Sequence, residues 1–557
     1  MKSTKQKIVT NFDAVVVGAG FSGLYMLYRL RETGLSTRVF EAGDGVGGTW
    51  YWNRYPGARC DVESIYYNYM FSEELYREWN WTSRYAAQPE ILNYLNFVAD
   101  KFNLRKDITF ETRIRSAHYV EENNLWMIHL NNGTSVSAKY FITGVGCLSA
   151  TNLPNFKGLE NFKGEWYHTG NWPREQQVDF KGKRVGIIGT GSSGVQAIPV
   201  IAQEAEHLTI FQRTPQYSAP ARNYPYDSEY ITHAKENFYE IKKHLRESPL
   251  GQPANIPTQS ALEASQAERK QVFENCWENG GFGLSRTYND IVLNEAANKT
   301  VAQYIRSKIG EIVHDAEVAM KLMPQYFYAT KRPILDTNYY ETFNRENVTL
   351  VDVKSSPIEE ITVNGVKTTE NEYGFDVIVF ATGYDAITGP LLKIDIQGKD
   401  GLTLKSKWSG GAQTRTYLGI ANAGFPNMFM ITGPESPAAI SNMAVSIEQH
   451  VEWIADCIEY LRKNEIETIE AKEDAENAWS NHCREVAEAT LFTKTDSWYN
   501  GANIEGKPRG FLIYLGGVGA YKMKCDEIAA KGYQGFTLVP SKKTALTDKQ
   551  LIDNFNE

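Results

Sequence analysis

The chain has 557 residues, too many for one hydrophobic core, so two or three domains are expected. Its hydrophobic content of 42% and charged content of 22% are those of an ordinary globular protein. A net charge of −9 argues against nucleic-acid binding, which favours a basic face.

Six cysteines, Cys60, Cys147, Cys276, Cys457, Cys483 and Cys525, include no C-x-x-C pair. Neither a disulfide framework nor a zinc ribbon is suggested, no other metal site is expected, and a reducing cytosol fits. Met1 to Asn11 is polar, and no run of about 18 apolar residues occurs, so neither secretion nor a membrane span is expected.

In chain order, Asp13 to Val17 is an apolar, β-branched run that predicts a buried parallel strand. Gly18-Ala19-Gly20-Phe21-Ser22-Gly23 follows, then a predicted helix from about Leu24 to Thr33 and a strand from Thr37 to Phe40. Glu41 ends that strand, 23 residues beyond Gly18, where a carboxylate accepts hydrogen bonds from an adenosine ribose. Gly18, Gly20, Gly23 and Glu41 therefore read as a site for FAD or NAD.

Gly45 to Tyr67 is rich in Gly, Trp, Tyr and Arg without periodicity, and reads as a loop over a ligand or as an aromatic plug. Arg59-Cys60-Asp61 closes it with opposite charges that, on sequence alone, are surface ions. A helix at Glu90 to Phe102 and strands at Trp126 to Leu130 and Tyr140 to Gly144 return the chain to the first sheet.

A second apolar strand, Lys183 to Ile188, runs into Gly189-Thr190-Gly191-Ser192-Ser193-Gly194, again a dinucleotide turn. After the strand His207 to Phe211 the acidic residue is missing. Arg213 stands near its place, 24 residues beyond Gly189. A carboxylate would repel a 2′-phosphate, whereas a guanidinium pairs with it bidentately, so this turn reads as an NADP site. The bland alternative is a surface arginine.

Residues from about 220 to 328 have helical patterning (Tyr230 to Arg246, Ala264 to Trp277, Thr300 to Ile312) without strands, which reads as an insertion. Lys331-Arg332-Pro333 ends it and, without context, is a solvated turn. Phe375 to Asp385 and Pro426 to Pro434 each contain an apolar strand with a Thr-Gly exit, and an amphipathic helix is predicted from Ser446 to Asn464. The first sheet is thus expected to be rebuilt by the C-terminal part. From about Lys543 the chain is polar and expected to fray.

Between the two glycine turns lies Phe162-x-Gly164-x-x-x-His168-x-x-x-Trp172-Pro173. This spacing resembles the fingerprint of the flavin-dependent Baeyer–Villiger monooxygenases. The resemblance extends from about Asp13 to Pro540, through Gly48 to Gly57, Ala381-Thr382-Gly383 and Trp498 to Asn503, and is closest to the phenylacetone-oxidising type. It implies an α/β chain with two Rossmann-like dinucleotide-binding domains: an FAD domain from 1–150 and 385–542, an NADP domain from 151–220 and 330–384, a helical insertion at 221–329 within the latter, and a tail at 543–557.

The implied reaction converts a ketone to an ester or lactone with NADPH and O2, through a C4a-peroxide of FAD. Aryl, bulky or linear aliphatic ketones are the expected substrates, with sulfoxidation as a side activity. Oxygenation of soft nitrogen or sulfur is the alternative. A cytoplasmic monomer or weak homo-oligomer, with no nucleic-acid or membrane partner, is implied as well.

Carried over residue by residue, the resemblance puts the active-site arginine on Arg332 and its aspartate partner on Asp61. Arg213, Thr214 and Lys331 match the 2′-phosphate end of NADP, Trp498 a tryptophan near the nicotinamide, and Arg59 and Cys60 flank Asp61 on the NADP side. Thr49, Trp50, Trp52, Tyr67 and Met443 match flavin-side positions. Cys147, Ala438, Ala439 and Ile440 are expected at the substrate pocket, where Cys147 departs from the phenylacetone type's glutamine. His168 is either a base or a geometric anchor, with domain positioning the role the family suggests, and Trp172 is a packed anchor.

Overall fold

A computed structural model describes residues 10–253 and 256–541. The first strand, Thr10–Val17, runs parallel to Thr37–Phe40 on one side and to Ser135–Thr143 on the other. These are apolar runs with both faces covered, as a parallel pairing requires. Ser135–Thr143 is shared along its length: its first half pairs antiparallel with Leu125–Leu130, its second half parallel with Met428–Met430. Ile108–Thr109, Ile114–Val120 and Asp395–Gln397 complete an eight-stranded mixed sheet. Distant parts of the chain therefore meet in one sheet, and helix Met443–Lys463 packs on helix Phe21–Glu32 through Val451, Ile454, Leu24 and Leu27.

The second sheet is wholly parallel, in the order Val348–Asp352, His207–Gln212, Arg184–Ile188, Val377–Phe380, Glu165–His168. The fingerprint, for which the sequence carries no secondary-structure expectation, supplies the edge strand, with His168 paired to Phe380. Such an edge needs hydrogen bonds on one side only, so a short segment beside Pro173 can serve.

Between residues 221 and 329 most of the described chain lies in helices, and these divide between two cores. The helix expected over Tyr230 to Arg246 is two helices, Ser228–Glu236 and Phe238–Glu247. Asn237 breaks it because its side-chain amide donates to the His233 carbonyl at 2.8 Å, competing with the helical backbone. Ala234 joins the core of the first sheet, and Phe238 and Leu245 pack with Met70, Val445 and Val518. Phe273, Trp277, Val301 and Ile305 pack instead with Ile198 and Ile201 behind the second sheet.

A three-stranded antiparallel sheet (358–362, 365–368, 372–374) and the pair Ile466–Ala471/Phe536–Pro540 had no strong sequence signal, being short and partly exposed. The tail expected to fray from Lys543 lies outside the described residues. Among the described residues no helix is long and apolar enough to cross a membrane.

Candidate functional site

Both glycine turns leave their strands through a left-handed glycine, Gly18 at φ +94° and Gly189 at φ +109°. The third glycine of each lets the helix seat against the strand: a Cβ on Gly23 would lie 1.7 Å from the Gly18 carbonyl oxygen, and one on Gly194 2.3 Å from that of Gly189. The following helices, Phe21–Glu32 and Ser192–Glu204, have no side-chain N-cap, so their first amides point into the turns. Such amides suit a pyrophosphate.

The turns differ at their second glycine. A Cβ on Gly20 would sit 3.2 Å from the Gly48 Cα, whereas one on Gly191 would meet no atom within 4 Å. The segment Gly47–Trp52 folds over the first turn, where Gly47 N–H donates to the Ala19 carbonyl at 2.9 Å and Thr49–Trp52 forms one helical turn. Glu41 is buried and accepts from Ala19 N–H at 2.7 Å and Gly43 N–H at 2.8 Å, so its carboxylate closes the turn from below.

A cavity of about 1070 Å³ opens between the turns. Gly20, Thr49, Trp50, Arg59, Cys60, Asp61, Tyr67 and Cys147 line one side of it. Gly189, Thr190, Gly191, Ser192, Ser193, Arg213, Thr214, Lys331 and Arg332 line the other, and Ala439, Met443 and Trp498 come from the C-terminal part. Residues from widely separated stretches of sequence thus share one space.

At its centre the Arg332 guanidinium forks onto Asp61, Nε to Oδ2 at 2.9 Å and Nη2 to Oδ1 at 2.8 Å. Nη1 donates to the Ala439 carbonyl. Neither charge is the surface ion that sequence alone suggested; both are partly buried. Burial opposes the arginine's charge, but the Asp61 carboxylate outweighs it and raises the Arg332 pKa. Tyr499 is fully buried near this pair, close enough for the guanidinium to act on its phenol. Sequence reasoning missed Tyr499; its adjacency to Trp498 was the signal available. Burial pushes the Cys147 thiol up to about 11, against the pull of Arg332, so the wall beside the guanidinium is neutral at ordinary pH.

At the far end Thr190 Oγ1 donates to the Thr214 carbonyl at 3.2 Å, tying the second turn to the strand exit that carries Arg213. Lys331 lies over the Tyr326 ring, 4.8 Å from its centroid. Burial and the neighbouring Arg213 lower its pKa. Arg59 is held by the Tyr85 carbonyl, and its own carbonyl accepts from Gln196 Nε2 at 3.1 Å; burial lowers its pKa. On the near side Trp50 Nε1 donates to the Tyr67 hydroxyl at 3.1 Å, and the Met443 sulfur accepts from Ala439 N–H at 3.2 Å.

Several expected positions lie outside the lining. Gly18, Gly23, Glu41 and Gly194 sit beneath the turns they shape. Trp52 turns away, packing edge-on against Tyr51 and under Arg174. Ala438 and Ile440 flank Ala439 behind the wall. The fingerprint side chains do not line the cavity either. Phe162 packs with Phe375 and Phe380, a Cβ on Gly164 would lie 2.5 Å from the Asp376 carbonyl oxygen, and Trp172 packs against Tyr167 and Phe180.

His168 is 4% exposed, its Nδ1 accepting from Gly170 N–H at 3.0 Å and its Nε2 lying 3.3 Å from Thr382 Oγ1. Burial lowers its pKa, which keeps the ring neutral. These contacts lock the corner between the edge strand and the Thr382–Tyr384 crossing. Tyr384 bonds Asn53, and its carbonyl accepts from Asn503 Nδ2 at 2.7 Å.

Two dinucleotides fit these residues: each turn offers uncapped helix amides, one beside a buried carboxylate and the other beside two cations. A family profile described as flavin-binding monooxygenase-like matches residues 12–245. A Baeyer–Villiger monooxygenase of Pseudooceanicola batsensis is 45% identical over 94% of this chain and 95% of its own. A phenazine N-monooxygenase of Lysobacter antibioticus is 44% identical over 95% of this chain and 97% of its own. A closed crystal structure of cyclohexanone monooxygenase superposes with a TM-score of 0.93 at 45% identity, covering 96% of this chain and all of the other.

Proposed function

Because this chain belongs to the Baeyer–Villiger monooxygenases of the flavin-binding monooxygenase-like family, we propose that its central cavity oxygenates a ketone to an ester or lactone. FAD and NADP(H) are its cofactors. When bound they supply hydride transfer and O2 activation. We assign FAD to the sealed turn with Gly18, Gly20, Gly23 and Glu41. NADP(H) goes to the open turn with Gly191, Arg213, Thr214 and Lys331.

The observation that carries the reading is the Arg332 fork. When an oxygen nucleophile adds to a ketone carbonyl, negative charge develops on the carbonyl oxygen. A guanidinium has five N–H donors. Asp61 and Ala439 take three of them in fixed directions, which leaves two donors free for that oxygen. A preorganised cation in a partly desolvated site stabilises the developing charge without reorganising. Asp61 holds the plane of the fork. The neutral wall of Cys147, Leu148 and Ala439 suits an uncharged aryl, bulky or linear aliphatic ketone. His168, which lies behind the cavity-lining Thr382 with both ring nitrogens engaged, is assigned the backbone corner rather than a proton transfer.

Replacing Arg332 by Ala is expected to leave FAD binding intact and cut ester formation by about 10²–10³. Ester formation at the parental rate would overturn the assignment. A second reading is nitrogen or sulfur oxygenation, which the 44% identity to a phenazine N-monooxygenase favours. Mass analysis of NADPH- and O2-dependent products from phenylacetone, cyclohexanone, a thioether and an N-heteroaromatic separates the two: ester or lactone supports ketone oxygenation, and N- or S-oxides alone support the second reading.

A further inference from the structure

The cover on the first glycine turn is held at two places. Inside, Gly47 N–H bonds the Ala19 carbonyl, and Glu41 ties Ala19 N–H to Gly43 N–H. Outside, the second half of the cover meets a residue of the other domain. Arg174 follows the edge strand Glu165–His168 and the pair Trp172-Pro173. Its guanidinium carbon lies 4.8 Å from the centre of the Tyr51 ring and 5.7 Å from that of Trp52, and its Nη1 donates to Asp44 Oδ1 at 2.7 Å. The Tyr51 hydroxyl donates to the same Asp44 oxygen and accepts from Asp44 N–H at 2.9 Å. The buried Tyr51 ring fills the space beside Gly43, where a Cβ would lie 2.4 Å from it. An unbroken set of contacts therefore runs from Arg174 through Asp44 and Tyr51 to Gly43, Glu41 and the turn itself. None of Arg174, Asp44, Tyr51 and Trp52 lines the cavity.

We propose that Arg174 is a positioning residue that clasps the cover shut from the second domain, and so sets how fast FAD leaves the first turn. The inference rests on the assignment of FAD to that turn. Two interactions act on one side chain. The cation is attracted to the faces of two rings that stand at 83° to each other. The ion pair alone would contribute little, because side chains 31% and 59% exposed are screened by water and salt. Seated on the rings, however, the guanidinium is already in place, so pairing with Asp44 costs little further side-chain entropy. FAD in the first turn lies under Gly47–Trp52, so its exit requires the cover to lift, which breaks these contacts together. Arg174 and Asp44 belong to neither large core, so loss of the clasp speeds release without loosening the packing of either domain.

The test is the rate of FAD release from the holoenzyme, read as the rise in free-flavin fluorescence on dilution well below the melting temperature. Far-UV circular dichroism with FAD in excess gives that temperature. The proteins are the parent, Arg174→Met, Asp44→Asn and the double variant. Methionine keeps an apolar stem on the rings and removes the charge; asparagine keeps an acceptor for Tyr51. Release is expected to quicken about three- to tenfold in Arg174→Met and about two- to threefold in Asp44→Asn, with melting within about 2 °C of the parent. In the double variant the aspartate change should add nothing, since its partner is already gone. Release at the parental rate in Arg174→Met would overturn the proposal. So would additive effects in the double variant, or acceleration accompanied by a larger drop in melting temperature. Gly23→Ala runs alongside. If it is purified fully yellow, FAD does not occupy the first turn; if it lacks flavin and Arg174→Met releases FAD at the parental rate, only the clasp is wrong.

Discussion

At the first glycine turn a Cβ on Gly20 would press on the Gly48 backbone at 3.2 Å, while at the second a Cβ on Gly191 would meet nothing within 4 Å. The left-handed first glycine and the tight third glycine are shared, so the contrast lies in what the rest of the chain lays over each turn. Gly47–Trp52 closes the first, and the buried Glu41 braces it with two amide hydrogen bonds. The second is left open, with the exposed Arg213 paired to no carboxylate among the described residues. One motif therefore yields a covered turn and an open one, the contrast on which the proposed division between FAD and NADP(H) rests. The cover decides which, not the glycines.

Three substitutions break or sharpen this contrast. The largest effect is expected for Gly23→Ala, whose Cβ would meet the Gly18 carbonyl oxygen at 1.7 Å. The sealed turn cannot close around that atom, so the purified variant should lack the flavin absorbance band, and a fully yellow protein would show that the turn tolerates it. Next is Arg213→Ala. Loss of a charge-assisted contact of about 1.5–3 kcal/mol should raise KM for NADPH roughly 10- to 100-fold while KM for NADH stays nearly constant. Matching changes for both coenzymes would remove the phosphate role. The smallest is Gly191→Ala: nothing in the protein obstructs its methyl, so Tm should hold. A methyl where the pyrophosphate approaches should raise KM for both coenzymes a few-fold alike. A drop in Tm would mean that the second turn is as constrained as the first.

The parts of the site legible in the sequence were those with a local physical signature. Gly18 to Gly23 and Gly189 to Gly194 follow apolar strands within a few residues, and Glu41 and Arg213 stand at fixed distances from them, so both βαβ units could be read directly. Arg332 and Asp61 had no such signature. They are 271 positions apart, and each sits in a run of charge that sequence alone assigns to solvent. Only a resemblance could pair them. Tyr499 was passed over although it adjoins Trp498, because a buried phenol and a packed aromatic look alike in one dimension. Trp52 shows the converse hazard, since it shares a motif with Trp50 yet faces Arg174 rather than the cavity. The split of 221–329 between two cores escaped because amphipathic helices announce an apolar face but not the surface that covers it.

The pairing of Met428–Met430 with Phe141–Thr143 bears on how the chain is made. All five strands of the second sheet fall between residues 165 and 380, so a growing polypeptide can finish that sheet once this stretch has left the ribosome. The first sheet must wait nearly 300 residues with one edge of its Ser135–Thr143 strand exposed, a long-range closure that is slow and prone to aggregation. Overproduction at low temperature with ample riboflavin, which lengthens the time and strengthens the pull for that late closure, is therefore expected to raise the soluble yield.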